Sequence, residues 1–186
     1  MGLRQVQLSG AGGQGLVLAG VILAEAAMRD GKNVAVAQSY GPEARLGASK
    51  AEVIISTEKI AYPQVTRPDI LLCLSQEAFD KYFPWVDKHA IVLVDSTQVH
   101  LQSSERDNLW SLPLQRAAME QVGTKLVTNI VALGALNALT GIVSWENLKR
   151  AVAQRTPAKY REQNLRALEV GRQLAQNTII SQTKEV

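Results

Sequence analysis

Seven consecutive residues, Ser9-Gly10-Ala11-Gly12-Gly13-Gln14-Gly15, hold four glycines between an apolar run and a helical one. Gly10, Gly12 and Gly15 satisfy G-x-G-x-x-G, in which glycines allow a tight strand-to-helix turn and free N–H groups at the helix start attract phosphate or carboxylate. A dinucleotide site of this kind needs an acid about 20 residues on, at the end of the second strand, to hold the ribose hydroxyls. Here that strand runs into Gln38-Ser39-Tyr40 without an Asp or Glu. No Gly-Lys-Ser or Gly-Lys-Thr follows, which excludes a P-loop. Two readings stay open for the turn: an anion loop, or glycines that serve only close helix packing.

A second candidate is Tyr40 to Ser49, where turn formers, charges and an aromatic lie between two strands. Glu43 and Arg45 either pair on a solvated loop, worth under about 1 kcal/mol, or Arg45 offers a planar fork to a carboxylate or phosphate. His89 and His100 lie in separate loops without nucleophile or metal-ligand spacing and read as surface residues. Cys73, within an apolar run, reads as a buried inert thiol. Asp95 ends a strand, where it caps the adjacent turn or acts catalytically. Trp85, Trp110 and Trp145 are scattered and are ascribed to core or interface packing. No self-sufficient catalytic group or metal site emerges.

The elements that position these residues follow from periodicity. Leu3 to Leu8 alternates as a strand, Leu16 to Met28 is helical and apolar on nearly all sides, and Asn33 to Ala37 completes a β-α-β opening. The next strand, Ala51 to Ser56, begins too soon for a helical crossover, so the sheet is expected to be mixed. Ile70 to Leu74 and Ala90 to Val94 read as strands buried on both faces. Ser75 caps a helix from Gln76 to about Tyr82. Gln98 to Asn108 reads as a polar surface loop and Leu109 to Leu112 as a short strand. Helices are expected from Pro113 to about Val122, Val127 to Leu139, Trp145 to Gln154, and about Ala158 to Ile180.

With 186 residues and no linker, repeat or low-complexity tract, one domain spanning 1–186 is expected. The net charge of +3 is spread along the chain without a basic block, which argues against nucleic acid. One cysteine makes neither an internal disulfide nor a four-thiolate cluster. No apolar run reaches ~18 residues, so a cytoplasmic protein without membrane attachment is expected.

Three stretches together, Gly10 to Gly15, Ser39-Tyr40-Gly41-Pro42-Glu43-Ala44-Arg45, and Asn129 to Leu136, resemble the gamma subunit of 2-oxoacid:ferredoxin oxidoreductases. The second stretch looks most like the 2-oxoglutarate type. Family members commonly read Ala-Arg-Gly-Gly where this chain has Ala44-Arg45-Leu46-Gly47. The resemblance implies a three-layer, Rossmann-like α/β domain with a mostly parallel, mixed sheet and a helical C-terminal part. It implies CoA-dependent oxidative decarboxylation to acyl-CoA and carbon dioxide with ferredoxin reduction, the isolated chain being inactive. Thiamine diphosphate, Mg and iron–sulfur clusters would sit on partner alpha, beta and, in some assemblies, delta subunits, with CoA as co-substrate. Gly10, Gly12, Gly13, Gln14, Gly15, Tyr40 and Arg45 would then form a CoA-binding, anion-binding or partner-facing loop, with no catalytic or metal residue on this chain. The competing readings are a free-standing nucleotide-binding oxidoreductase and a purely structural subunit.

Overall fold

The computed structural model describes residues 2–38, 48–101 and 106–184. Strands β1 (Arg4–Ala11), β2 (Asn33–Gln38), β3 (Ala48–Ser56), β4 (Ile70–Cys73), β5 (Ile91–Asp95) and β6 (Leu109–Leu112) form one sheet in the order β2-β3-β1-β4-β5-β6. β3 is antiparallel to both neighbours, while β1, β4, β5 and β6 pair in parallel. The sheet is therefore mixed, as the short β2–β3 spacing requires. β1 and β2 do run the same way around helix α1 (Leu16–Arg29), but β3 separates them.

β1 extends three residues beyond the expected Leu8, because β3 starts early enough to pair Gly10 with Ser49 and Ala11 with Ala48. Gly10 thus belongs to the strand, and the turn proper begins at Gly12. Apolar residues on one sheet face join α1, α4 (Thr128–Thr140), α5 (Trp145–Arg155) and α6 (Arg161–Lys184) in the larger core, which includes Leu8, Val53, Ile130, Leu148 and Leu168. The other face carries a smaller core around Leu71, Val92 and Val94, bordered by Phe79 and Tyr82 of α2 (Gln76–Tyr82). This gives three layers. Val99 is buried in the smaller core, so the expected surface loop after β5 has an apolar foot.

Ser75 caps α2, its hydroxyl accepting from the Ala78 amide, and Ser144 caps α5 likewise. The helix expected from Pro113 is instead one α turn, α3 (Leu114–Ala117), followed by a π segment, Ala118–Val122, closed by Gly123. Ala158–Tyr160 is a 3₁₀ turn before α6. Every residue of α4 from Thr128 to Asn137 is buried. A Cβ on Gly134 would strike the Leu168 carbonyl and one on Gly171 the Val131 carbonyl, so α4 and α6 cross at backbone contact. That crossing explains the small-residue pattern after Asn129.

Two carboxylates fasten α1 to α5. Asp30, just past α1, accepts from the Ser144 N–H at 2.7 Å, the Ser144 hydroxyl at 2.6 Å and Asn147 Nδ2 at 2.6 Å. Buried Glu25 is held by Arg29, at 2.8 Å, and by Arg155. Burial raises each carboxyl's affinity for a proton, but the donors around it outweigh burial and leave both below their ordinary values.

Candidate functional site

The turn after β1 is held by neutral amides. Gln14 reaches back so that its Oε1 accepts from the Ala11 N–H at 2.7 Å, while its Nε2 donates to the Leu74 carbonyl at 3.1 Å. Gly10 makes room for this clasp, since a Cβ there would collide with Gln14 Oε1 and lie 3.1 Å from Leu74 Cβ. Gly15 caps α1 at φ 71°, a left-handed conformation that suits glycine. Its carbonyl accepts from Asn129 Nδ2 at 3.0 Å, and Asn129 Oδ1 accepts from the Ile130 N–H at 3.0 Å. One buried amide therefore ties the starts of α1 and α4 together. Glycine spacing alone does not reveal this partnership; the Asn129 stretch was legible as a helix and as part of the family pattern, but not as the partner of Gly15.

The turn opens on a hollow of about 250 Å³ lined by Gly12, Gly13, Gln14, Gln115, Lys125 and Thr128, with Leu126 at its side. It lies at the carboxyl end of the parallel strands, where ligands of open α/β sheets gather. Lys125 supplies its cation, and neither α1 nor α4 has an acid in its first turn. Helix starts without such acids keep their positive end for an outside anion. Sequence reasoning missed Lys125 and Thr128, which topology brings here from more than a hundred residues away.

Asp95 lies at the same edge but is wholly buried. Its oxygens accept from the Thr97 N–H at 3.0 Å and the Gln115 N–H at 3.1 Å, so it caps the turns beyond β5, and burial pushes its carboxyl up. Gln115 is thereby positioned in the lining. Cys73 is fully buried beside Ser9, and burial pushes its thiol up to about 12. A thiol so held offers no thiolate to a cluster or substrate. His89 and His100 are exposed. Trp110 and Trp145 pack on the larger core, whereas Trp85 is 81% exposed and joins neither core among the described residues.

Tyr40 and Arg45 lie outside the described residues. Their flanks are placed: Gln38 pairs with Ala51, and Ala48 pairs with Ala11, one residue from the turn. Among the described residues there is no group of three or more His, Cys, Asp or Glu that could hold a metal ion, and no helix long and apolar enough to cross a membrane.

Residues 5–174 match the pyruvate ferredoxin/flavodoxin oxidoreductase family. The chain belongs to this family. It is 46% identical to the 2-oxoglutarate synthase subunit KorC of Methanocaldococcus jannaschii over 92% of this chain and 94% of that protein. A crystal structure of a keto/oxoacid ferredoxin oxidoreductase gamma subunit from Geobacter sulfurreducens superimposes with a TM-score of 0.84 at 45% identity, covering 94% and 99% of the two chains. Some members are longer. The ketoisovalerate oxidoreductase subunit VorA of Methanothermobacter thermautotrophicus is 34% identical over 94% of this chain, which spans only 37% of it.

Proposed function

We propose that this chain is the gamma subunit of a 2-oxoacid:ferredoxin oxidoreductase of the 2-oxoglutarate type, and that its glycine edge forms one wall of the CoA path. The observation that carries the reading is the hollow at the carboxyl edge, where the Gly12–Gly13 turn and Lys125 converge between two helix starts without acids. Its volume of about 250 Å³ falls below the ~300–1,000 Å³ of complete small-molecule pockets. One wall on this chain and another on a partner fits that size. The KorC likeness supports the 2-oxoglutarate assignment.

In this reading Gly12, Gly13 and Lys125 meet a phosphate or carboxylate, and Arg45, between β2 and β3 in the sequence, is assigned a further anion contact by the family resemblance. Gly10, Gln14, Gly15 and Asn129 hold the backbone in place and exclude rearrangement. The donor set does not fit an iron–sulfur cluster, since the single thiol is buried and protonated. Thiamine diphosphate, Mg and the clusters are accordingly assigned to the alpha, beta and delta chains, with ferredoxin as acceptor. The isolated chain is then inactive and the assembly cytoplasmic.

The test is reconstitution with the partner chains and viologen reduction driven by 2-oxoglutarate, pyruvate or branched-chain oxoacids. CoA-dependent reduction with 2-oxoglutarate is expected to exceed the others. Reduction with pyruvate alone would overturn the substrate assignment, and binding of NAD(P) or flavin by the chain alone would favour the free-standing oxidoreductase.

A further inference from the structure

Lys125 and Leu126 are neighbours in the chain and opposite in chemistry, yet both line the hollow at the glycine turn. Leu126 is 82% exposed. A lone apolar side chain in water is ordinary, but this one shares a wall with a cation and with the Gly12–Gly13 turn. The 3₁₀ turn that presents the pair, Lys125–Val127, is pinned at both ends. The Thr124 hydroxyl accepts from the Leu126 N–H at 3.2 Å, and the Thr128 hydroxyl donates to the Lys125 carbonyl at 2.7 Å. Val127 is buried in the larger core. The backbone is therefore anchored while Lys125 and Leu126 are left exposed.

The third group is a carboxamide. That of Gln14 is engaged at both ends, by the Ala11 N–H and the Leu74 carbonyl. Gln115 differs. Its backbone N–H is held by buried Asp95 at 3.1 Å, while its carboxamide makes no hydrogen bond among the described residues. Gln115 lines the same hollow. A carboxamide offers a donor and an acceptor side by side. A bare phosphate or carboxylate, an acceptor throughout, answers only the donor. Adenine answers both, through the amino group and ring nitrogen that a glutamine pairs with, and its flat face packs on apolar side chains.

None of the described lining residues is acidic. The wall thus asks three things of one ligand: negative charge, a flat apolar face and an edge that both donates and accepts. The oxoacid has only the first. We propose that Lys125, Leu126 and Gln115 form the subsite for the adenine nucleotide end of CoA, with a phosphate at Lys125 and the turn, the base against Leu126 and its edge on Gln115. The inference rests on the CoA-path reading above and goes further, since it assigns the half of CoA that this chain holds. The thiol-bearing half then crosses to the partner's wall.

The experiment uses the reconstituted complex, with all chains present, and inhibitors competing with CoA: adenosine bisphosphate and phosphopantetheine as its two halves, and pyrophosphate as a bare anion. Leu126→Ala and Gln115→Leu are each expected to raise the Ki for adenosine bisphosphate by about fivefold to tenfold, and to leave those for phosphopantetheine and pyrophosphate within about twofold. Lys125→Ala should raise the Ki for adenosine bisphosphate and pyrophosphate together. A wild-type Ki for adenosine bisphosphate in either Leu126→Ala or Gln115→Leu, or a rise confined to phosphopantetheine, overturns the subsite while leaving the CoA path standing on the Lys125→Ala result. An unchanged KM for CoA in Lys125→Ala overturns the CoA path, and this inference with it.

Discussion

The two ends of the sheet are fastened by different chemistry. At the carboxyl end the exposed turn is clasped by neutral amides, Gln14 and Asn129, and Asp95, a carboxylate at this edge among the described residues, is wholly buried with both oxygens occupied. At the amino end the fastening is done by carboxylates: Asp69 and Asp87 at the strand starts, and Asp30 where α1 meets α5. Carboxylate clasps would repel an arriving anion, while amides hold backbone equally well without that field. The difference shows which end is prepared for a negatively charged ligand. It also separates the ends experimentally, since the amides that clasp the turn do not titrate while Asp30 does.

The largest expected effect is at Gly10. Gly10→Val forces a side chain into the Gln14 clasp and Leu74, with a cost of about 1–3 kcal/mol from overpacking and a fall in Tm of the isolated chain in thermal denaturation. Gly15→Ala follows, at about 1–2 kcal/mol for a left-handed residue with a Cβ, made worse by Asn129 Nδ2 at 2.5 Å. Acid should then divide the ends. Glu25 and Asp30 are held below their ordinary 4.5 and 3.8, so their stabilisation is complete above those values and is lost as pH falls through the depressed folded ones. Hydrogen exchange between pH 5 and about pH 2 should show α5 losing protection before the Ala11 amide held by Gln14; the reverse order would erase the distinction. The smallest effect belongs to Asp87→Ala, whose pairing with Arg67 is exposed. It should leave Tm of the isolated chain within about 1 °C.

Much of the architecture was legible because period-2 and period-3.6 patterns, glycine stops and serine caps are local signals. β3 was recognised as antiparallel-compatible from chain length alone, and Ser75 and Ser144 cap as their positions imply. The extension of β1 through Ala11 was hidden, since glycines read as turn and only pairing with Ala48 and Ser49 makes them strand. The π segment after Ala117 was equally hidden, because no residue type marks it. At the site, the glycines were visible but their division of labour was not. Gly10 and Gly15 are explained by Gln14 and Asn129, and the second of these arrives through tertiary folding. Lys125 gave no signal at all, being an ordinary exposed lysine until α1 and α4 are set side by side.

The central claim is that the carboxyl edge binds the anionic co-substrate, and Lys125→Ala in the reconstituted enzyme tests it most directly. Lys125 is exposed in this chain, so folding should be unaffected, and the KM is read on the fully assembled complex. The account predicts a KM for CoA raised roughly tenfold, the loss of about one charge-assisted contact, with kcat and the KM for 2-oxoglutarate close to wild type. An unchanged KM for CoA in a fully assembled enzyme would contradict it.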